Sequence, residues 1–402
     1  MFEGNEVKQG LSGKSVLIVG AGVAGLSAAF ELEKVGHSTQ ILELQHRVGG
    51  RTKTLRGGFS DGLHAEGGAM RIPPNHYLTN GYIQKFGIPV RPFINSNDNT
   101  WLYLDGESKI RTKVDLYKRT IEPISTYSPA FGTSLVEYLR DELGEWWTDR
   151  PHTPVDGMDT IAKNFIKPQH TNIENTTDLA KRIKFGANVR CVKKNPENKV
   201  EVTARNVMTG TDQIYTADAV IITVPLTILR QMDIDLAEDC RKAIGNIHYQ
   251  PSTKVVLQCK SRFWEKEVGQ GGFSKTNLPI GQLHYPSPND PRIPNGRGLL
   301  VCYTWEQDAL IFGSQSETEA VESAVREITK IHPEMKKEFE VGMVQAWFND
   351  NSAQGAYASL LPNQYNSGMK TLMTPDHPIY LAGEAILYTN GRVDTRGHRI
   401  WP

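Results

Sequence analysis

Hydrophobic positions near the start of the chain change from a strand pattern to a helical pattern across a glycine-rich turn. A short β-branched run over residues 15–19 predicts a strand, and residues 26–35 continue at helical spacing with Gly36 as a stop. Residues 38–44 predict a second strand. This order of strand, turn, helix and strand is typical of an α/β protein.

Similar strand patterns return far along the chain. Residues 199–204 and 213–215 flank a predicted turn at residues 209–210, and residues 219–225 predict a buried strand. Another short buried strand, running into glycine, is predicted over residues 379–384. We therefore predict one domain that is assembled from separated pieces of the chain.

The segments between these pieces have a different pattern. Residues 70–110 and 251–351 are rich in proline, asparagine, aromatic residues and alternating strands. Helical spacing is clearest over residues 133–147 and 317–331. The sequence therefore predicts an α/β fold in which a second, mixed-sheet domain is inserted into the first.

Composition and charge argue against several classes of function. The 402 residues allow two or three domains of about 100 to 200 residues each. Lys plus Arg and Asp plus Glu number 45 each, so no overall basic charge favours nucleic acid or an anionic membrane. The four cysteines are too scattered for a zinc site or a disulfide framework, and no metal is expected.

The chain also shows no pattern typical of a membrane or exported protein. Its longest apolar stretch, residues 15–30, is interrupted by glycines and is shorter than the roughly 20 residues of a spanning helix. The first residues do not have the order of charged, apolar and small residues that marks a signal peptide. A cytoplasmic location is the simplest expectation. The oligomeric state stays open, with a homodimer as one candidate.

A glycine motif lies between the first predicted strand and helix. Residues 20–25 read Gly-Ala-Gly-Val-Ala-Gly, which is a GxGxxG pattern. Glycine allows a tight turn and the close approach of a pyrophosphate to a helix N-terminus. Glu43 ends the next strand, where a carboxylate can accept the hydroxyls of an adenosine ribose. Together these features predict dinucleotide binding; a purely structural glycine turn is the alternative.

The residues after Glu43 indicate which dinucleotide is bound. Residues 47–51 read Arg-Val-Gly-Gly-Arg, which resembles the RxGGR motif that follows the ribose-binding acid in the flavin amine oxidase family. The resemblance implies FAD, held non-covalently because no cysteine lies near the C-terminal flavin segment. It also implies that the Arg51 guanidinium binds the FAD pyrophosphate. A solvated loop charge is the alternative for Arg51.

The segment over residues 65–73 is similar to the L-amino acid oxidases within that family. In those enzymes a G-x-M-R segment passes beside the flavin ring, and its arginine binds the substrate carboxylate. The resemblance implies this role for Arg71, whose planar guanidinium suits bidentate carboxylate binding. Pairing with a structural acid is the alternative.

Further matches follow in the order of the family. Residues 156–159 resemble the loop that re-enters the FAD domain. Lys254 resembles the lysine that reaches flavin N5 through a water, although a strand lysine more often lies at an exposed edge. Tyr303 resembles the tyrosine that shares the substrate carboxylate with the arginine, and a core aromatic residue is the alternative. The residues assigned to FAD are Gly20, Gly22, Val23, Ala24, Gly25, Glu43, Leu44, Gly50, Arg51, Gly68, Ala69, Met70, Arg71, Val189, Gly383 and Glu384.

Two segments depart from the family pattern. After Gly391 the chain continues Arg-Val-Asp-Thr-Arg-Gly, where amine oxidases continue with Trp-Ile-x-Gly-Ala and a helix. Legal codons for residues 393–402, read one base later, encode Trp-Ile-Gln-Gly-Ala-Ile-Glu-Ser-Gly-Leu, so we expect a frameshifted reading of the family motif. The helical segment before residue 156 is also short. His152 is not assigned the role of the mobile histidine that some family members carry there.

The resemblance implies a reaction and a domain organisation. The expected reaction is FAD-dependent oxidation of an L-α-amino acid by O2 to a 2-oxo acid, ammonia and H2O2, with Lys254, Arg71 and Tyr303 as the catalytic residues; the preferred side chain is not predicted. A monoamine or polyamine oxidase, or an inactive nucleotide-binding product, are the alternatives. The expected domains are an FAD-binding domain (residues 1–60, 156–248 and 372–402), a substrate-binding domain (61–115 and 249–371) and a remnant helical domain (116–155).

Overall fold

The computed structural model describes most of the chain between residues 13 and 386. The described ranges are residues 13–60, 62–105, 108–111, 150–167, 178–286, 296–364 and 368–386. The helix predicted over residues 133–147 and the altered sequence over residues 393–402 lie outside these ranges. Within them, no helix has both the length and the apolar character needed to cross a membrane.

Strands occur along the whole described chain. The first are β1 (Ser15–Val19), β2 (Ser38–Glu43), β3 (Thr54–Leu55), β4 (Ala65–Glu66), β5 (Val90–Pro92), β6 (Trp101–Leu104), β7 (Ser108–Arg111), β8 (His152–Pro154), β9 (Ile183–Phe185), β10 (Ala187–Lys194) and β11 (Val200–Asn206). They are followed by β12 (Asp212–Ala217), β13 (Ala219–Ile222), β14 (Asp233–Ile234), β15 (Tyr249–Gln250), β16 (Ser252–Cys259), β17 (Phe273–Thr276), β18 (Gln282–His284), β19 (Gly298–Trp305), β20 (Phe339–Ala346), β21 (Tyr357–Ala358) and β22 (Ile379–Leu381).

Helices lie between these strands. In chain order, the α-helices of the described residues are α1 (Val23–Lys34), α2 (Tyr77–Lys85), α3 (Asp159–Phe165), α4 (Leu226–Leu229), α5 (Glu238–Asn246), α6 (Glu306–Gly313), α7 (Glu317–Ile331), α8 (Met335–Glu338) and α9 (Lys370–Met373).

Within the described residues, five parallel strands form a sheet in the order β22, β13, β1, β2 and β9. Helix α1 connects β1 to β2, as the sequence predicts. Both faces of β1 are buried, because Val16 and Ile18 pack in the cluster that contains α1 while Leu17 and Val19 join the opposite core. Burial on both faces explains why this strand is a continuous apolar run rather than an alternating one.

The strands predicted over residues 199–225 are confirmed with one change. Strands β11 and β12 form an antiparallel pair across a turn in which Gly210 has φ +71°. The following strand ends at Ile222, earlier than predicted, because the chain turns into helix α4, for which Pro225 is the N-cap residue.

A second, mixed sheet contains seven described strands in the order β20, β16, β19, β18, β17, β6 and β7. Its neighbours are antiparallel except for the parallel pair β17 and β6. Helix α7 packs against this sheet, covers residues 317–331 as predicted, and begins with a capping box between Ser316 and Glu319. The mixed α/β architecture is thus confirmed, whereas the domain boundaries stay a prediction.

The two faces of the mixed sheet have different surroundings. Alternate residues of β16, such as Val255 and Leu257, pack into the core beneath α7. Val256 and its neighbour Val301 on β19 instead contact Leu55 and the residues around it. Because side chains alternate along a strand, Lys254 and Tyr303 share this second face and are turned toward residues 55–71.

Candidate functional site

The glycine turn, residues 20–25, connects β1 to α1 at the carboxyl end of the parallel sheet. Gly20 has φ +104°, a conformation that side chains rarely adopt. A Cβ on Gly25 would lie 2.0 Å from Gly20 O, so the contact between helix and turn requires glycine. A Cβ on Gly22 would meet no atom within 4 Å. Gly22 therefore faces open space, from which a pyrophosphate can approach the backbone.

Helix α1 has its N-terminus at this open space. No side chain caps it, and its first turn contains no acidic residue. The N–H groups of residues 22–25 have no acceptor within their own helix, because a helix start leaves its first four donors unpaired internally. The first bond within the helix runs from Leu26 N to Gly22 O at 3.0 Å. These donors and the helix dipole favour an anion at this position.

Glu43 supports the glycine turn from the end of β2, just before Leu44. Its Oε2 accepts a hydrogen bond from Ala21 N at 2.6 Å, and its Oε1 accepts one from Gln45 N at 2.8 Å. Burial raises the pKa of the Glu43 carboxyl, although both backbone donors act against this shift. A carboxylate has lone pairs beyond these two bonds, so it retains the capacity to accept ribose hydroxyls.

The predicted RxGGR segment packs directly on the glycine turn. Gly49 N donates to Ala21 O at 2.9 Å, and a Cβ on Gly50 would lie 3.4 Å from Gly22 Cα. The next residue, Arg51, is crossed by Gly68, where an added Cβ would lie 1.7 Å from Arg51 O. Glycines therefore allow the backbones of three separate segments to approach one another closely.

Arg51 and Glu384, distant in sequence, form an ion pair in this region. Arg51 Nη1 lies 3.1 Å from Glu384 Oε2 and also donates to Ala356 O at 2.9 Å; the two charged side chains are 11% and 6% exposed. Burial acts to lower the pKa of Arg51, but Tyr249 and Glu384 outweigh it and raise that pKa. Arg51 is therefore a permanent buried cation beside the glycine turn, and the alternative of a solvated loop charge is wrong.

Two other predicted FAD residues lie on neighbouring strands. Gly383 has φ +115° just after β22, where Ala382 N donates to Ile222 O at 2.9 Å. Val189 is buried on β10 opposite Ala204. Their contacts with a cofactor stay a prediction.

Lys254 lies on an interior strand of the mixed sheet. It is 2% exposed, on β16 between β19 and β20, so the alternative of an exposed edge lysine is wrong. Its Nζ donates to Gly68 O at 2.6 Å and to Glu66 O at 3.1 Å, and lies 3.6 Å from Met70 Sδ. Burial lowers the pKa of Lys254; the Glu66 carboxylate acts to raise it and the Arg71 charge to lower it further.

Tyr303 is the cross-strand partner of Lys254. The Lys254 Nζ lies 4.4 Å from the Tyr303 ring centroid, which is within cation–π distance. Burial raises the pKa of Tyr303, so its hydroxyl keeps its proton and remains a hydrogen-bond donor. The ring of Trp305, two residues further along the same face, has its centroid 3.9 Å from that of Tyr303.

Arg71 is close enough to influence all of these groups. Its guanidinium carbon lies 5.8 Å from the Phe93 ring centroid. Burial has the largest effect on the pKa values of Lys254, Tyr303 and His284: it lowers those of Lys254 and His284 and raises that of Tyr303. The Arg71 charge acts to lower all three pKa values. Ala69, two residues before Arg71 and next to Met70, packs against the core that contains α1. We call Arg71, Lys254, Tyr303 and His284 the charged corner.

His284 belongs to no motif that was recognised in the sequence. Its ring stacks on Phe273 with centroids 4.8 Å apart, and its Nε2 lies 3.0 Å from Gln282 Oε1. Burial, with Arg71 and Lys254 nearby, lowers the pKa of His284 well below its ordinary value, so the imidazole is neutral. Alternation places Gln282 and His284 on one face of β18, but the sequence does not reveal which strand lies beside β18.

Glu66 and Tyr249 were also missed. Glu66 lies within the predicted flavin segment, yet its carboxylate accepts hydrogen bonds from Thr54 Oγ1 at 2.9 Å and Met158 N at 3.0 Å. The Tyr249 hydroxyl lies 3.4 Å from Glu384 Oε2. Tyr249 belongs to no recognised motif, and the motif that contains Glu66 does not indicate the role of its carboxylate, because both side chains contact residues far away in the sequence.

The glycine turn and its neighbours fit the diphosphate and ribose of a dinucleotide. The open space at Gly22 allows close approach to the backbone, and the uncapped start of α1 supplies N–H donors. Glu43 supplies a hydrogen-bond acceptor, and the buried Arg51 supplies a cation. Lys254 and Arg71 lie on the side of the Gly68 segment that faces the mixed sheet. The structure therefore provides a nucleotide cradle with a polar, positively charged corner beside it.

Sequence comparison supports this assignment. Residues 23–141 and 124–395 match the family described as flavin containing amine oxidoreductase. A putative L-amino-acid oxidase of Bacillus subtilis is 29% identical over 455 aligned positions, covering 94% of this chain and 92% of that protein. An L-amino acid oxidase of Cerastes cerastes is 28% identical, covering 97% of this chain and 86% of that protein. Since 455 positions exceed the length of this chain, the Bacillus protein carries residues with no counterpart here.

Solved structures show a similar fold. Wild-type putrescine oxidase bound to putrescine has a TM-score of 0.71 and is 18% identical, with 96% of this chain and 95% of that chain covered. A double mutant of putrescine oxidase has a TM-score of 0.72 at the same identity. At this identity the likeness concerns the fold alone.

Proposed function

The chain belongs to the flavin-containing amine oxidoreductase family, and from that premise we propose that it oxidises L-α-amino acids with FAD to 2-oxo acids, with release of ammonia and H2O2. FAD is the cofactor, and Glu43, Arg51 and the glycine turn are the residues that would hold its ribose and diphosphate. The observation that carries the substrate class is the charged corner, in which Arg71 and Tyr303 offer a cation and a protonated phenol for a carboxylate.

Arg71 and Tyr303 have complementary roles in this proposal. A guanidinium can bind a carboxylate through two parallel hydrogen bonds, and the buried Tyr303 hydroxyl can donate a third. Holding the carboxylate at one end fixes the direction of the Cα–H bond, which turns a chance encounter into an oriented reaction. His284 stays neutral beside them, so it adds no further positive charge.

The charges of Arg71 and Lys254 also act on the substrate amine. An α-amino group must lose its ammonium proton before its lone pair can stabilise the developing imine. Nearby positive charges lower the pKa of an ammonium group, so the corner favours the reactive neutral amine at a lower pH than bulk water does. When FAD is bound, it supplies the two-electron acceptor for the hydrogen lost from Cα, and its reoxidation by O2 yields H2O2.

The test is the visible absorption of the purified chain under anaerobic conditions. L-Phenylalanine and 2-phenylethylamine share one side chain and differ by the carboxylate, as do L-ornithine and putrescine. We expect the flavin band to bleach with at least one amino acid and to persist with its amine. Bleaching by amines alone would overturn the substrate class in favour of an amine oxidase.

Two alternatives have specific support. The resemblance in fold to putrescine oxidase fits a polyamine or monoamine oxidase. The altered sequence over residues 393–402, which lies outside the described ranges, fits an inactive product. A flavin band that persists with every amino acid and amine would favour the second alternative.

A further inference from the structure

Glu66 connects the charged corner to two other parts of the chain. Its backbone oxygen accepts a hydrogen bond from Lys254 Nζ at 3.1 Å. Its carboxylate accepts from Thr54 Oγ1, the cross-strand partner on β3, and from Met158 N in the loop before α3. The same residue therefore touches the lysine with its main chain and places a negative charge nearby with its side chain.

The described groups around Lys254 are neutral, with the exception of Arg71 and Glu66. The hydrogen-bond acceptors of Lys254 are the carbonyl oxygens of Glu66 and Gly68, with the Met70 thioether close by, so all of them are neutral. Arg71 adds a second positive charge, whereas Tyr303 and His284 are uncharged. Among the described residues, Glu66 is the acidic group whose charge favours protonated Lys254.

On the other side of Glu66 lie one further carboxylate, Asp159, and two cations, Arg56 and Lys163. Asp159 faces the Glu66 carboxylate, and its own oxygens lie 2.7 Å from Arg56 Nη2 and 2.6 Å from Lys163 Nζ. Burial raises the pKa of the Glu66 carboxyl to about 7, while its hydrogen-bond donors, Met158 N and Thr54 Oγ1, and the Lys254 charge act to lower it. Asp159 therefore has cationic partners of its own, and ionised Glu66 is the carboxylate that offsets the charge of Lys254.

A single buried charge is much less stable than a pair of opposite charges, and two interacting groups titrate as a unit. We propose that Glu66 is a positioning residue that orients Lys254 and keeps it protonated to a higher pH than the rest of the corner would allow. The carboxylate acts by charge through the protein interior, and the backbone oxygen acts by direct contact. This role adds a residue to the proposed oxidation and rests on that function only for its kinetic test.

The kinetic test compares Glu66→Gln with the wild-type holoenzyme. The amide has nearly the same shape but no charge, so the pKa of Lys254 must fall. The rate of flavin reduction is measured as a function of pH. A change of rate with pH that is present in the wild type and absent in Lys254→Met is assigned to the titration of Lys254, and we call it the Lys254 limb. In Glu66→Gln we expect this limb to move toward acid by about one pH unit, which is a tenfold change in proton affinity. The direction is the same whether the reaction requires the charged or the neutral lysine.

Two control variants separate charge from structure. Glu66→Asp keeps the charge and should leave the limb close to its wild-type position. Thr54→Val removes one donor to the carboxylate but no charge, and should move the limb much less than Glu66→Gln. A limb that stays in place in Glu66→Gln would overturn the proposal, as would equal shifts in Glu66→Gln and Thr54→Val.

A thermal double-mutant cycle needs no substrate. The FAD-loaded wild type, Glu66→Gln, Lys254→Met and the double variant are melted at neutral pH. We expect the double variant to lose less melting temperature than the sum of the two single variants, because each single variant leaves one buried charge alone. Additive losses would overturn the proposal even if Glu66→Gln were too unstable for kinetics. Coupling without amino-acid turnover would instead reject the proposed function and retain this inference.

Discussion

The glycine turn and the charged corner lie on either side of the Gly68 segment, but the turn is formed by backbone and the corner by side chains. The turn relies on backbone, because a missing Cβ at Gly25 and open space at Gly22 determine its shape. The corner relies on side chains whose protonation is altered by burial, as for Lys254 and Tyr303. Backbone shape follows from local sequence, whereas a protonation state depends on everything packed around the group.

Arg51 tests this contrast between backbone and side chains, because its ion pair with Glu384 lies next to the glycine turn. Replacing Arg51 by Met leaves the buried Glu384 without this cationic partner, which costs about 3–5 kcal/mol. We expect a lower melting temperature and weaker FAD binding, measured by thermal denaturation and flavin fluorescence. A double variant with Glu384→Gln should recover stability but not FAD affinity. A single variant as stable as wild type would show that backbone alone maintains the cradle.

Arg71→Ala tests the corner without touching the cradle. Removing a charge that binds an opposite charge in a desolvated site costs roughly 2–5 kcal/mol. We expect that loss in kcat/KM for the best L-amino acid, with the flavin spectrum unchanged. Arg71→Lys keeps the charge but not the planar guanidinium, so its kcat/KM should lie between those of the wild type and Arg71→Ala. Unchanged amino-acid turnover in Arg71→Ala would contradict the substrate class.

Two glycine variants sharpen the account of the turn. In Gly25→Ala the new Cβ would lie 2.0 Å from Gly20 O, so the backbone must shift at a cost of about 1–3 kcal/mol. In Gly22→Ala the Cβ meets no protein atom within 4 Å, so we expect an unchanged melting temperature without FAD and FAD affinity lowered roughly tenfold or more. Calorimetry with and without FAD separates the two results. Equal behaviour of the variants would show that Gly22 does not face the cofactor.

Tyr249→Phe should have the smallest effect. It removes a hydroxyl that lies 3.4 Å from Glu384 Oε2 and from Leu226 N, and such a hydrogen bond contributes about 0.5–1.5 kcal/mol. We expect a slight loss of FAD affinity in a fluorescence titration and normal turnover at saturating FAD. A loss as large as that of Arg51→Met would indicate that Tyr249 itself maintains the ion pair.

The turn could be predicted from sequence because each of its features depends on near neighbours. Residues 15–19, Gly25 and Gly36 follow rules for strands, close packing and helix ends that need only a few adjacent residues. The capping box that begins α7 is equally local. The resemblance to a known family added the identity of the cofactor.

The corner could be predicted only in part, for reasons of register and burial. Lys254 was assigned by resemblance, and its place on an interior strand follows from the pairing of β16 with β19 and β20, which the sequence does not show. Glu66 was read as part of a motif, although its carboxylate belongs to an interaction with Thr54 and Met158. His284 was missed because its neighbours come from other strands.

The order of strands in the parallel sheet also governs when this site can exist during synthesis. The glycine turn is among the first parts to be made, but β13 receives its outer neighbour only when Ile379–Leu381 has been translated. Arg51 likewise waits for Glu384. Contacts between such distant residues form late, after loop closure over most of the chain. A nascent chain that ends before residue 379 therefore contains the glycine turn but lacks both β22 and Glu384, which complete its surroundings.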